Sequence, residues 1–294
     1  MRRDMGGHES NSSSVYLAAA LILGVGCFCL GLASSATPAN DGTGPSTSPE
    51  ETGINDSVPT IGPDDAPVLI VEAADFNCTW CGVGVPGRAH GKASFIKRIM
   101  SEHDNDVQYA FKHFLVFRRN PITRASSELA AIASMAAHRQ GRFWSYHDHL
   151  FLHTGASWDN ERLTGYADEL ALDGERFRAD LKDPKLREAV LLDDAAGQAV
   201  GISGTPSVFI NGLKVPNNAK ADGWRRLIQD ARDQVLALIR SGKASDVISA
   251  RRMATVTNAG ETFAKHYHDH SPEGLDTSAT SGNTPIIHAT FGGQ

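Results

Sequence analysis

The feature that most constrains the fold of this chain is a pair of cysteines, Cys78 and Cys81, which follows an apolar run at 68–73. The run, VLIVEA, is short and mostly apolar or β-branched, which is typical of a buried strand. A Cys-x-x-Cys directly after such a strand can be a structural staple, half of a metal site or a reactive thiol pair. The rest of the sequence distinguishes these three roles.

The first part of the chain has the composition of an export segment. Arg2 and Arg3 precede nineteen residues without a charge at 15–33. A short basic region followed by such a stretch is typical of a signal peptide, and the small residues at 34–36 suit cleavage. The stretch is also long enough to cross a bilayer as an uncleaved anchor. We therefore predict a signal peptide or an N-terminal membrane anchor at residues 1–36.

Further features indicate where the rest of the chain resides. No Lys or Arg occurs between Arg3 and Arg88, so the positive-inside rule predicts an extracytoplasmic location, in the periplasm or on the outer face of the cytoplasmic membrane. Lipidation at Cys27 is a third option, ranked last because Gly24 stands where a lipobox usually has leucine. Residues 37–58 are rich in Pro, Gly, Ser and Thr and predict a flexible linker. The linker leaves no room for a dimerisation domain, and we expect a monomer.

Composition narrows the classes of function. The formal net charge is −6 and no run of five basic residues occurs, which argues against nucleic acid as a partner. The 294 residues, of which 41% are hydrophobic, suffice for one sizeable core with tails or for two small domains.

The number of cysteines favours a reactive thiol pair over a structural disulfide. Cys27 and Cys29 lie inside the export segment, so Cys78 and Cys81 are the only pair in the exported part. A stapled secreted domain carries several pairs, and this pair closes too small a loop to constrain the unfolded chain much. A zinc site would need a second Cys-x-x-Cys, which the chain lacks. Redox chemistry is therefore favoured, and Cu(I) binding by the same two thiolates stays open as an alternative.

The predicted elements follow the order β-α-β, helical insert, β-hairpin, α-helix. Their apolar residues recur at strand or helix spacing. The predicted bounds are a strand at 68–73, a helix from near Cys78 toward Met100, a strand at 106–116, helices over about 122–200, a hairpin at 207–215 that turns at Asn211-Gly212, and a helix from Trp224 to Leu238. Beyond Ala244 the pattern fades, and we predict a tail of unknown role at 244–294.

This order, with a Cys-x-x-Cys at the start of the first helix, resembles the thioredoxin fold, an α/β class. The helical insert resembles the DsbA-like branch of extracytoplasmic thiol-disulfide oxidoreductases. Two segments carry the resemblance, DDAPVLIVEAADFNCTWC at 64–81 and SGTPSVFING at 203–212. The resemblance covers a domain at about 59–243, with its insert at about 122–200.

The resemblance implies an enzyme that exchanges thiols and disulfides in exported proteins. It implies no cofactor beyond a redox-active Cys78–Cys81 disulfide, and it implies a membrane-bound or soluble partner that recycles the pair. Oxidation of substrate cysteines is the commonest role in the family and the direction we expect. A disulfide reductase or isomerase of the same fold is the alternative.

The two cysteines have different expected roles. Cys78 is predicted to lie at a helix N-terminus, where unpaired backbone N–H groups lower the pKa of a thiol and so produce the attacking thiolate. Cys81, one turn further along, would resolve the mixed disulfide. Thr79 and Trp80, between them, are expected to contact the substrate and to shape the approach to Cys78.

The resemblance assigns further residues to the site. Pro206 is expected to follow a cis peptide bond and to face the cysteine pair, which would leave the Thr205 backbone free to pair with an extended substrate. Glu72 is the candidate acceptor of the Cys81 proton if it is buried. The alternative is that Glu72 lies at the end of the strand and faces solvent, where it would have no role in proton transfer. Asp75 is the second candidate, and Lys112 is a weak candidate partner of Glu72.

Two groups of histidines do not form a convincing metal site. The pattern predicts that the first group lies on a polar helix face and that the second lies in a solvated tail. The first group is His147, His149 and His153, and the second is His266, His268 and His270.

Overall fold

Five strands form one mixed sheet in the part of the chain that the computed structural model describes, residues 58–82, 92–155 and 157–277. The strands are β1 (Thr60–Ile61), β2 (Val68–Ala74), β3 (Val107–His113), β4 (Ser207–Ile210) and β5 (Leu213–Lys214). Their order in the sheet is β1-β3-β2-β4-β5. β2 and β3 are parallel, whereas the other neighbouring pairs are antiparallel.

β2 is the central strand, and its sequence explains that position. Every residue of β2 is buried, which fits a nearly continuous apolar run with both faces covered. Ile70 faces the larger core, which the sheet shares with the helical insert. Leu69 and Val71 face a second core on the opposite side. The end of β2 is therefore held from both sides of the sheet.

Helices make up most of the remaining described chain. They are α1 (Lys92–Met100), α2 (Pro121–His138), α3 (Phe143–Leu152), α4 (Asn160–Glu169), α5 (Gly174–Asp180), α6 (Pro184–Ala199), α7 (Ala221–Arg240) and α8 (Val247–Ala259). Helices α2 to α6 lie between β3 and β4, which confirms the predicted insert. Trp224 and Val235 of α7 are buried, as the apolar face of the predicted last helix requires.

The predicted hairpin is present, and its turn residues explain its shape. Asn211 has a φ of 43° and Gly212 a φ of 82°, the left-handed conformations that a tight hairpin turn needs at both central positions. The Asn211 side chain also holds the hairpin to β2. Its Oδ1 accepts from the Leu69 N–H at 2.7 Å, and its Nδ2 donates to the Pro67 carbonyl at 3.0 Å.

The prediction of a tail beyond residue 244 is wrong for the described residues up to 277. Helix α8 begins with a capping box at Asp246 and is followed by short helical turns at Glu261–Phe263 and Ala264–His268. Phe263 and Tyr267 pack with Phe209 in the second core. The segment covers one face of the sheet, which no local pattern of residues reveals.

A buried arginine fixes this C-terminal segment to the sheet. Arg251 of α8 donates to the Ala66 carbonyl at 2.8 Å and to Gln108 Oε1 at 3.2 Å. Its Nε donates to His268 Nε2 at 3.2 Å. His266 and His268 are both buried, so the prediction that they lie in a solvated tail is wrong.

The histidines in α3 and directly after it divide between core and surface. His147 is fully buried among the rings of Phe76, Phe111 and Phe151, so its predicted place on a polar face is wrong. Burial lowers the pKa of His147 to about 4, so it packs as a neutral ring. His153 is exposed, in agreement with the prediction.

The predicted export segment at 1–36 and nearly all of the linker at 37–58 lie outside the described residues. Among the residues that the structure does describe, no helix is both long enough and apolar enough to span a membrane.

The segment after residue 244, which covers the second core, should contribute to the stability of the fold. Tyr267 is fully buried, and replacing a buried aromatic side chain by alanine removes burial and leaves a cavity. We expect Tyr267→Ala to lower the free energy of unfolding by about 3 kcal/mol. Met253→Ala on the exposed side of α8 is the matched control, with an expected change within about 0.5 kcal/mol. Equal denaturant midpoints for the two variants would show that the segment does not stabilise the fold.

Candidate active site

The turn that carries the two cysteines begins where β2 ends. The Cys78 N–H donates to the Asp75 carbonyl at 2.9 Å, and the Cys81 N–H donates to the Cys78 carbonyl at 3.0 Å. Residues 78–82 form this turn and no part of an α-helix, so the predicted helix start at Cys78 is wrong for them. Helix α1 begins at Lys92, and residues 83–91 lie outside the described part.

Gly82 allows the turn to lie against the end of α3. A Cβ atom at this position would meet Thr154 Oγ1 at 2.6 Å and the Phe151 carbonyl oxygen at 3.0 Å. Any larger residue would push the turn away from α3. The glycine thus allows the turn to pack closely on α3, at a position where it would also weaken a helix.

The two thiols have different environments. Cys78 is 7% exposed and Cys81 is fully buried, and both are free thiols. The hydrogen bond from the Cys81 thiol lowers the pKa of Cys78 to about 6, against the opposing effect of burial, and the Thr205 side chain lowers it further. The predicted direction of this shift is confirmed, although its main cause is Cys81 and not a helix terminus.

Cys81 shows the opposite behaviour. Burial raises its pKa well above the ordinary thiol value, and the hydrogen bond to Cys78 and the charges of Cys78 and Glu72 raise it further. At neutral pH the pair therefore consists of a Cys78 thiolate and a protonated Cys81. That division gives one nucleophile and one sulfur that keeps its proton until a disulfide forms.

Strand pairing brings the Thr205–Pro206 loop to the cysteines. Ser207, the first residue of β4, pairs with Ala73 of β2, so the residues before Ser207 lie at the end of β2. Cys78 Sγ lies 3.4 Å from the Thr205 carbonyl oxygen, to which it donates only when Cys78 is protonated. The Thr205–Pro206 peptide bond is cis, and Pro206 is buried.

Glu72 is buried inside β2, so the alternative that it faces solvent is wrong. Its Oε2 accepts from the Tyr109 hydroxyl at 2.5 Å. Its charge acts on Cys81 and raises the pKa of that thiol. The structure thus brings Glu72 near the buried cysteine, and Tyr109 joins the site as a residue that the sequence analysis did not name.

The suggested pairing of Lys112 with Glu72 is wrong. The register of β2 and β3 aligns Glu72 with Phe111 and Lys112 with Ala73, so the two side chains point to opposite faces of the sheet. Lys112 instead donates to Asp193 Oδ1 at 2.7 Å.

Asp75, the second candidate proton acceptor, has its carboxylate occupied by three donors. Oδ1 accepts from the Asn77 N–H at 2.8 Å and from the Ser127 hydroxyl at 2.7 Å. Oδ2 accepts from the Val116 N–H at 3.0 Å. Burial raises the pKa of Asp75 to about 6. Because the folded state holds this proton more tightly than the unfolded chain does, Asp75 lowers stability as the pH rises from 3.8 to about 6.

Thr79 and Trp80 lie at the surface between the cysteines. Thr79 is exposed, and the Trp80 side chain is 63% exposed. Their roles in substrate contact stay predictions.

Metal binding has little support around the cysteine pair. In the described ranges, no three His, Cys, Asp or Glu side chains form a group that could hold a metal ion. The two thiols of Cys78 and Cys81 are the groups that would suit a soft ion such as Cu(I).

Comparison with known proteins agrees with this geometry. A family model described as Thioredoxin matches residues 55–230. The chain belongs to the DsbA-like thioredoxin family. It is accordingly a thiol-disulfide oxidoreductase with Cys78 and Cys81 as its Cys-x-x-Cys pair.

A solved structure supports the DsbA-like fold. Oxidised BdbD from Bacillus subtilis aligns with a TM-score of 0.50 at 23% identity, over 62% of this chain and 95% of that one. At this identity the likeness shows the fold alone.

Curated relatives of this DsbA-like chain are longer proteins. It is 37% identical over 154 residues to the Na(+)/H(+) antiporter NhaA of Herminiimonas arsenicoxydans and 34% identical over 153 residues to NhaA 1 of Salinispora arenicola. Each match covers 52% of this chain but only 22% and 21% of those proteins. The chain therefore spans about a fifth of their length, and antiport is named for those whole proteins.

The position of Glu72 generates a test of its role. If Glu72 accepts the Cys81 proton, Glu72→Gln should slow the attack of Cys81 on a mixed disulfide at Cys78 by about a hundredfold. A carboxylate that acted only through its charge would have the opposite effect, because its loss lowers the pKa of Cys81. The measurement is the rate at which Cys81 releases a small thiol from that mixed disulfide.

Tyr109→Phe is the matched control for this test. It removes the hydrogen bond to Glu72 but keeps the carboxylate charge, so we expect a much smaller loss of rate. A faster release from Glu72→Gln than from the wild type would eliminate proton transfer as the role of Glu72.

Proposed function

We propose that this protein oxidises cysteine pairs in exported proteins. The observation that carries the proposal is the low pKa of Cys78, about 6, beside a buried Cys81. A stabilised thiolate stabilises the reduced form of the pair, and the disulfide is then a stronger oxidant. A higher pKa of the Cys78 thiol would favour the opposite direction, which is reduction or isomerisation of substrate disulfides.

The reaction follows from the difference between the two sulfurs. A substrate thiolate attacks Cys78 Sγ of the Cys78–Cys81 disulfide, the S–S bond breaks, and Cys81 leaves as a thiolate. Cys81 takes a proton, for which the buried Glu72 is the proposed carrier. A second substrate thiolate then attacks the substrate sulfur of the mixed disulfide and releases the Cys78 thiolate. Two electrons pass from the substrate to the protein pair, and a redox partner must remove them.

Apolar side chains around the cysteines support a protein substrate. Trp80, Ile122 and Leu152 are 63%, 81% and 64% exposed. Ile122 lies in the first turn of α2, next to Thr123, whose carbonyl oxygen is 3.5 Å from Asn77 Nδ2. Leu152 ends α3, on which the turn at Gly82 packs. Such a surface suits an unfolded chain with exposed apolar residues.

Pairing with the substrate backbone would add to this contact. The Thr205 carbonyl lies at Cys78, and Pro206 fixes the loop before β4. An extended substrate that hydrogen-bonds Thr205 would place its cysteine sulfur against Cys78. Thr205, Pro206, Thr79 and Trp80 are therefore the proposed substrate-binding residues.

The cellular setting is proposed from the sequence. The segment at 1–36 would export or anchor the chain, residues 37–58 would link it to the domain, and the domain would act outside the cytoplasm as a monomer. Thiol oxidation is a reaction of extracytoplasmic compartments, because the cytosol keeps thiols reduced.

The redox potential of the Cys78–Cys81 pair tests the direction. We expect a value about 100 mV or more above that of thioredoxin, together with oxidation of a reduced, unfolded protein by the disulfide form. A potential close to that of thioredoxin would sink the oxidase proposal and favour a reductase.

Variants of the two cysteines test the mechanism. Cys78→Ser should abolish exchange, whereas Cys81→Ser, given a substrate disulfide that the Cys78 thiolate attacks, should accumulate a mixed disulfide at Cys78 because no Cys81 thiol is present to resolve it. Full exchange by Cys78→Ser would contradict the assignment of the nucleophile. Tight Cu(I) binding by the reduced protein, with no oxidation of substrate, would favour the metal-binding alternative.

A further inference from the structure

Asp75 lies at the centre of a hydrogen-bond network around the loop that enters the active site. Its Oδ1 accepts from Ser127 and from the backbone of Asn77, and its Oδ2 accepts from Val116. Its own carbonyl accepts from the Cys78 N–H. Asp75 thus connects the end of β2 with Val116 in the segment after β3, with helix α2 and with the nucleophile.

Ser127 and Asn77 close this network on the side of α2. Asn77 Nδ2 donates to Ser127 Oγ at 3.0 Å, while Ser127 Oγ donates to Asp75 Oδ1 at 2.7 Å. Asn77 immediately precedes Cys78. Ser127 is 1% exposed, Asp75 2% and Asn77 9%, so water competes little with these bonds and each lost partner leaves a buried polar group unsatisfied.

The segment after β3 provides a second fixed point. The Leu115 N–H donates to Asp194 Oδ1 at 3.0 Å, next to the Val116 N–H that Asp75 accepts. Asp194 is fully buried and forms a bidentate pair with Arg118. The network that holds Cys78 is therefore anchored in the helical insert, because Asp194 belongs to α6.

We propose that Asp75 is a positioning residue that, together with Ser127 and Asn77, holds the Cys78 turn against Cys81 and so sets the stability of the Cys78 thiolate. The proposal rests on Cys78 and Cys81 being the exchanging pair. It does not depend on the direction of exchange. Glu72 remains the carboxylate whose charge acts on Cys81. Both carboxylate oxygens of Asp75 already accept hydrogen bonds, from Asn77, Ser127 and Val116.

The variant Ser127→Ala tests the network while keeping the carboxyl group of Asp75, whose pKa rises further when the Ser127 donor is lost, so the titration of Cys78 is compared at pH values above that pKa. If the turn loosens, Cys81 no longer donates well to the Cys78 thiolate, and we expect the pKa of Cys78 to rise from about 6 toward the ordinary thiol value. The pair should then become less oxidising. Both quantities come from the pH dependence of alkylation and from equilibrium with a reference thiol couple.

Ser126→Ala is the matched control. Ser126 neighbours Ser127 on the same helix, but its hydroxyl accepts from the Trp158 N–H at 3.1 Å, away from the cysteines. We expect this variant to keep the wild-type pKa of Cys78 and the wild-type potential, even if it loses some stability.

Asp75→Asn separates positioning from charge. Loss of a nearby negative charge would by itself lower the pKa of Cys78, whereas loss of positioning raises it. A rise in both Ser127→Ala and Asp75→Asn supports the proposal. An unchanged or lower pKa in Ser127→Ala, or a fall in Asp75→Asn, overturns it. Failure of the wild-type protein to oxidise a dithiol would count against the oxidase proposal alone, because the pKa comparison remains valid.

Discussion

The hydrogen bond from the buried Cys81 thiol to Cys78 is the interaction on which the rest of the site depends. Because burial keeps Cys81 protonated, its S–H can donate to the negative sulfur of Cys78, three residues earlier. Cys78, at the edge of the same core, keeps a small exposed fraction and becomes that negative sulfur. A thioredoxin-type pair thus gains an asymmetric charge distribution from the different burial of its two sulfurs and from the hydrogen bond between them.

The fold maintains the different environments of Cys78 and Cys81 because several elements hold the end of β2 and the turn that follows it. β4 pairs with β2 and brings the Thr205 carbonyl to Cys78. Helix α2 holds the loop through Ser127, and Gly82 lets the turn pack on α3. The two buried carboxylates act on different cysteines. The charge of Glu72 raises the pKa of Cys81, whereas Asp75 accepts from the backbone N–H of Cys78, the less deeply buried of the two. The charge of Asp75 costs stability at neutral pH, because burial raises its pKa to about 6.

The sequence predicted the order of elements, the insert, the hairpin and the cysteine pair, because each has a local signature such as Asn211-Gly212 or Cys-x-x-Cys. It failed where tertiary contacts decide. The helix expected at Cys78 gives way to a turn that packs on α3, and the segment beyond 244 covers a sheet face that only the folded chain presents. Tyr109 and Ser127 carry no motif, and only strand register and helix packing bring them to Glu72 and Asp75.

The most direct measurement is the pH titration of the Cys78 thiolate, by its rate of alkylation, in the wild type and in Cys81→Ala and Cys81→Ser. We expect a midpoint at about 6 in the wild type and a rise toward 9.0 in Cys81→Ala, because the donor is lost. Cys81→Ser keeps a hydroxyl donor and should lie much closer to the wild type. A wild-type midpoint near 9.0, or a midpoint that stays at about 6 in Cys81→Ala, would contradict the account.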